Sequence, residues 1–145
     1  MKDIKNYIKV NDKISTAGQP TKKQFKKIKK AGFDVVINLA TCNLSRGAIK
    51  EEDKIVSSLG MSYLHIPITW EKPELDRMKL FLIVLEALQK ENKKVFIHCI
   101  MNYRVSVFIY KYKQYILNEK NVKLIAPKDF KPNKKWRKIL KGKLL

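Results

Sequence analysis

Cys99 and Arg104 stand five positions apart in the stretch HCIMNYRVS. A thiolate is a strong nucleophile, and a guanidinium can grip two oxygens of one oxyanion. Before them, KVFIHC reads as a buried strand; after them, RVSVFIYKYKQYILN reads as a helix apolar on most sides. A cysteine at such a junction faces unpaired backbone N–H groups and the positive end of the helix dipole, and both favour the thiolate. The N–H groups of Ile100, Met101, Asn102, Tyr103 and Arg104 then form a cradle for phosphate. One loop thus supplies a nucleophile, an oxyanion cradle and a clamp. Arg104 also argues against Cys99 as a small hydrophobe that merely ends a strand, because a charge opening an apolar helix needs an anionic partner.

The elements that must position this loop alternate. YIKV and KIST read as short strands, and AGQPT as a turn into a helix. Thr21 with Gln24 forms a capping box; Phe25 and Ile28 point inward, and Gly32 stops the helix. DVVINLA is a strand buried on both faces, TCNLSRG a loop, AIKEEDKIVSSLG a helix ended by Gly60, and MSYLHIP a second buried strand. After ITWEK, Pro73 takes the first position of a helix with Leu75, Met78, Phe81, Leu82, Leu85 and Leu88 at helical spacing. This alternation predicts an α/β fold with a mostly parallel central sheet of four to five strands, covered by helices on both faces. Loops at the carboxyl ends of such strands carry function, and Cys99 lies at one.

The 145 residues fit one domain, 1–145, in which 120–145 form a basic helical extension. No apolar run is long enough for a membrane span and MKDIKNYIKV lacks a signal-peptide core, so a cytoplasmic monomer is expected. Two cysteines make no disulfide framework and show no zinc-ligand spacing, so no metal or cofactor is expected. The net charge of +19 favours capture of anions. Residues 120–145 hold ten basic residues and one acidic, with Phe130, Trp136, Ile139 and Leu140 in a short amphipathic pattern. That tail either docks on the domain with its lysines in water or touches anionic lipid or nucleic acid.

The HC…R…S loop, AGQPT, GFDVVINLA, HIPITWEKP and the helix after the loop together resemble a bacterial phosphatase-like family. That family is related to protein tyrosine and dual-specificity phosphatases and is often found beside β-lactamase-like hydrolases. The resemblance spans most of residues 10–118. One feature departs from the usual loop: four residues, not five, separate Cys99 from Arg104, while Ser106 keeps its place seven after the cysteine. Asn102 stands where a glycine is common, and asparagine tolerates a left-handed backbone. The short spacing also occurs in rhodanese-like sulfurtransferases, although no Gly-His-Ile-x-Gly-Ala stretch precedes the loop.

The resemblance implies hydrolysis of a phosphomonoester through a cysteinyl-phosphate on Cys99, with Arg104 and the loop amides on the phosphate oxygens. It implies that Ser106 donates to the sulfur in the second step and that His98 holds the loop. The leaving group needs an acid on the loop after HIPITW. No aspartate occurs there, so Glu71 is the candidate and Asp76, on the following helix, the second. Trp70 either covers the substrate or caps the core. Some relatives pair a second cysteine with the nucleophile, which makes Cys42 a candidate redox partner of Cys99. Phosphoprotein, inositol phosphate and RNA 5′-phosphate stay open as substrates. A pseudophosphatase that binds phosphorylated or nucleic-acid partners without turnover is the rival reading.

Overall fold

The computed structural model describes residues 1–142. Five strands, β1 (Ile8–Lys9), β2 (Ile14–Ala17), β3 (Val35–Asn38), β4 (Ser62–His65) and β5 (Val95–His98), form one sheet in the order β1-β2-β5-β3-β4. β1 runs antiparallel to β2, and every other pair is parallel. The α/β class and the mostly parallel five-stranded sheet are as the alternation predicts. β5 is central, with Ala17, His98 and Asn38 in register across β2, β5 and β3. The chain leaves β5 into the Cys99 loop at this middle position.

Helices α1 (Lys22–Lys30) and α2 (Glu52–Ser58) cover one face, where Phe25, Ile28, Val56, Val36 and Phe96 pack together. Helices α3 (Leu75–Lys90), α4 (Tyr103–Tyr115) and α5 (Lys134–Lys141) lie on the other, around Ile37, Phe81, Ile97, Phe108 and Trp136. Both bonds of the Thr21–Gln24 capping box form, at 3.1 and 3.0 Å.

Four local expectations are corrected. β4 is a half-buried strand rather than a fully buried one, because it sits at the sheet edge, paired with β3 on one side. The helix expected from Ala48 starts at Glu52, since Glu51 adopts a left-handed conformation, φ 55°, that breaks the turn. Pro73 is not the first residue of α3: Glu74 is the N-cap, extended so that its carboxylate folds back onto the backbone N–H and the hydroxyl of Thr69, both at 2.8 Å. Residues 117–133 are irregular, and the extension is helical only in α5. That helix docks: Trp136 is fully buried, and the buried Lys111 ammonium donates to the carbonyls of Leu140 and Gly142. A cation there satisfies helix-end carbonyls that have no partner of their own. Among the described residues no helix is long and apolar enough to cross a membrane.

Candidate active site

Cys99 follows β5 directly and is 1% exposed, at the bottom of a cavity of about 170 Å³. Arg46, Trp70, Ile100, Met101, Tyr103 and Arg104 line the rest of it. The backbone of the loop is oriented by what its carbonyls bind. The Cys99 carbonyl accepts from His98 Nδ1 at 3.0 Å, and that of Ile100 accepts from the Gln19 N–H at 2.9 Å. The Met101 carbonyl accepts from Asn6 Nδ2 at 2.9 Å, and that of Asn102 from both the N–H and the hydroxyl of Ser106 at 3.2 and 2.6 Å. Four successive carbonyls are thus tied down. The N–H groups of residues 100–105, by contrast, donate to no acceptor among the described residues. Such a run of free donors at a helix start is an oxyanion cradle.

Asn102 makes the bend. Its φ of 68° is left-handed, and its side-chain amide donates to the Asn6 carbonyl and to Thr16 Oγ1, at 2.9 and 3.1 Å. Gly18 leaves room for the loop: a Cβ there would run into the Ile100 carbonyl oxygen. This close approach is what the Ala-Gly-Gln part of AGQPT provides. Arg104, 9% exposed, is aimed by a 2.9 Å bond from Nη1 to the Ile68 carbonyl on the loop after β4.

His98 and Glu52 form a buried pair beneath the loop, with Nε2 and Oε2 2.7 Å apart. Gln19 Nε2 holds the other carboxylate oxygen at 2.6 Å. Burial alone would push the Glu52 carboxyl up; its interactions with His98 and the hydrogen bond from Gln19 outweigh it and hold the carboxyl below its usual range. The imidazole is thus held at both ring nitrogens, by the Cys99 carbonyl at Nδ1 and by the Glu52 carboxylate at Nε2. Glu52, Gln19, Asn6, Gly18 and Arg46 were not singled out in the sequence. Only Gly18 and Gln19, inside AGQPT, gave a signal there.

The rim is built differently. Trp70 lines the cavity and also stacks on Trp136, ring centroids 5.2 Å apart, so it serves both site and core. Trp136 Nε1 donates to the Trp70 carbonyl at 2.9 Å, and Lys135 Nζ donates to that of Glu71 at 2.6 Å. Tyr103 stacks on Phe130 at 4.9 Å, and its hydroxyl is pushed up by burial first and by the neighbouring Asp129 carboxylate second. Glu71 is exposed and paired with Arg46 at 3.0 Å. Its own backbone amide and the Arg46 guanidinium hold its carboxyl below the usual range. Asp76, in the first turn of α3, is exposed and does not line the cavity.

Two placements differ from the implied roles. The Ser106 hydroxyl is engaged with Asn102 rather than with the Cys99 sulfur. Cys42 opens into a separate cavity of about 590 Å³, with its sulfur 3.9 Å from His65 Nδ1, and does not line the Cys99 cavity. The cause is direction: the loop after β3 carries Cys42 towards the edge strand β4, away from β5.

The comparisons with known proteins agree with this architecture. A phosphatase-like DUF442 protein of Shewanella putrefaciens CN-32 is 31% identical; the match covers 96% of this chain and 91% of that one, with a TM-score of 0.85. The chain belongs to the DUF442 phosphatase-like family. Two further structures share the fold at lower identity. PTPMT1 is 14% identical with a TM-score of 0.75, over 93% of this chain and 91% of its own. A mutant form of Tk-PTP is 17% identical with a TM-score of 0.74, over 94% of this chain and 92% of its own. The DUF442 fold is therefore that of protein tyrosine phosphatase-like proteins, as the loop resemblance implied. No protein-family model matches the sequence, and no curated protein does so significantly.

Proposed function

We propose that this DUF442 chain hydrolyses phosphomonoesters in two steps on Cys99. In the first, the thiolate attacks phosphorus, an S–P bond forms, the P–O bond to the alcohol breaks, and the departing oxygen takes a proton. In the second, water gives a proton to the Glu71 carboxylate and attacks phosphorus, the S–P bond breaks, and inorganic phosphate leaves with the thiolate and the acid restored. Arg104 and the N–H groups of residues 100–105 hold the equatorial oxygens through both steps. His98 and Ser106 are positioning residues, which fix the carbonyls of Cys99 and Asn102. Glu71 delivers the proton from the rim. The observation that carries this reading is the loop whose four carbonyls are tied away while its N–H groups stay free beside a thiol and a guanidinium.

One observation favours a second reading, a module that binds phosphorylated partners without turnover: the Glu71 carboxyl is occupied by Arg46 and held ionised. Phosphate release from an aryl phosphate between about pH 5 and pH 8, with Cys99→Ser and Arg104→Ala beside the wild type, separates the two. Turnover lost in both variants supports the phosphatase. Vanadate binding without turnover in the wild type supports the binding module.

A further inference from the structure

The cradle and Arg104 already supply donors for every oxygen of one phosphate. Arg46 is a second guanidinium in the same cavity, and no part of the two-step chemistry uses it. Its position is well defined. Leu44–Arg46 is a 3-10 turn capped by Asn43, whose Oδ1 accepts from the Ser45 N–H at 3.1 Å and the Ser45 hydroxyl at 2.6 Å. Gly47, left-handed at φ 112°, ends the turn, and a Cβ there would sit 3.3 Å from Ile100 Cγ2 on the cradle itself. The turn is therefore seated on the phosphate loop, and Arg46 is carried to the mouth of the cavity.

Its partner, Glu71, is a poor match for so placed a cation. Both side chains are more than half exposed, 67% and 59%. Exposed pairs of this kind contribute little, so another anion can exchange for the carboxylate. Around the pair lie Arg104 within the cavity and Lys135 on the Glu71 carbonyl, so an anion entering here meets positive charge from three elements.

We propose that Arg46 binds a second anionic group of the substrate, so that the preferred substrate is a phosphomonoester carrying a further phosphate or carboxylate beside the scissile one. The inference rests on the phosphatase reading and deepens it. The Glu71 carboxylate is the stand-in for that second group in the free protein. When the substrate takes its place, Glu71 loses the guanidinium and gains a neighbouring negative charge, and both changes favour its protonated form. Binding of the right substrate thus also prepares the proton donor.

The test uses two matched pairs of esters: 4-nitrophenyl phosphate against its ring-carboxylated analogue, and an inositol monophosphate against a bisphosphate. The wild type is expected to prefer the more anionic member by about five- to tenfold in kcat/KM, less at high salt. Arg46→Ala should bring the ratio close to one, Arg46→Lys should keep part of it, and Glu71→Gln, which frees Arg46, should raise it. Equilibrium binding of the same pairs to Cys99→Ser, with and without Arg46→Ala, reads the ratio without turnover. A wild type that hydrolyses none of the esters while Cys99→Ser keeps the Arg46-dependent preference breaks the phosphatase reading alone. Ratios that do not change on removing Arg46, in both pairs and both assays, overturn the assignment of Arg46.

Discussion

The loop of residues 99–104 is tied through buried and half-buried bonds to segments far away in the chain: Asn6, Gln19 and, through His98, Glu52. Arg46 and Glu71, at the mouth of the same cavity, meet in an ion pair open to water. Buried hydrogen bonds are costly to break because no solvent replaces the lost partner, whereas an exposed pair exchanges readily. The floor of the cavity is thus fixed for the group common to all phosphomonoesters, and the mouth is left free to respond to what differs among them. The tail anchors that mouth from behind, through Trp136 and Lys135.

The largest effect should come from the floor. Glu52→Ala leaves His98 Nε2 and Gln19 Nε2 without the buried carboxylate that both meet and is expected to cost about 3–5 kcal/mol of stability, read from denaturant unfolding. The sign of its pH dependence follows from the lowered Glu52 carboxyl. That contribution is fully present above the ordinary carboxylate range and is lost as pH falls through the lowered folded value. The wild type should therefore show an acid limb in stability that the variant lacks; identical limbs would mean that the pair does not hold the loop.

Gly18→Ala comes next. The Ile100 carbonyl must move to admit the methyl, and displacing a cradle by about 1 Å costs on the order of a hundredfold in kcat/KM. The comparison requires this loss to be the same for every ester. A loss confined to some substrates would show that the floor, too, takes part in selectivity.

Trp136→Phe should be milder. It keeps a ring against Trp70 but removes the N–H that the Trp70 carbonyl accepts, at about 1 kcal/mol of stability. A loosened mouth should raise KM a few-fold and leave kcat nearly as it was. A fall in kcat alone would place Trp70 in the chemical step.

What was legible in the sequence follows the range of the interactions. The nucleophile, the clamp and the cradle lie within the seven residues 99–105, and β3 and β5 announce themselves as apolar β-branched runs. The Thr21–Gln24 box is equally local. Glu52 was hidden because its partner lies 46 residues away, and a glutamate opening a helix ordinarily faces water. Arg46 was hidden for the opposite reason: its turn is local, but only the seating of Gly47 against Ile100 brings it to the cavity. The bond from Ser106 to the Asn102 carbonyl was not legible either, because spacing fixes where a hydroxyl stands, not which acceptor it takes.

The smallest effect bears most directly on the mouth. Glu71 meets its own backbone amide, Arg46 and Arg104 through its carboxyl and Lys135 through its carbonyl, and the first three, in that order, lower its acidity range. As the proton donor, Glu71 works only while protonated, so kcat/KM for an alkyl phosphate, whose leaving oxygen needs the proton, should fall as pH rises through that lowered range. Arg46→Ala removes a positive neighbour and should move this falling limb to higher pH. Just above the wild-type limb the variant should then be roughly two- to threefold faster on an ester with one anionic group, as expected for loss of an exposed pair. An aryl phosphate, whose leaving group departs without help, should show no such gain. If the limb stays in place for the alkyl ester, another group carries the proton, and the ion pair at the mouth serves substrate choice alone.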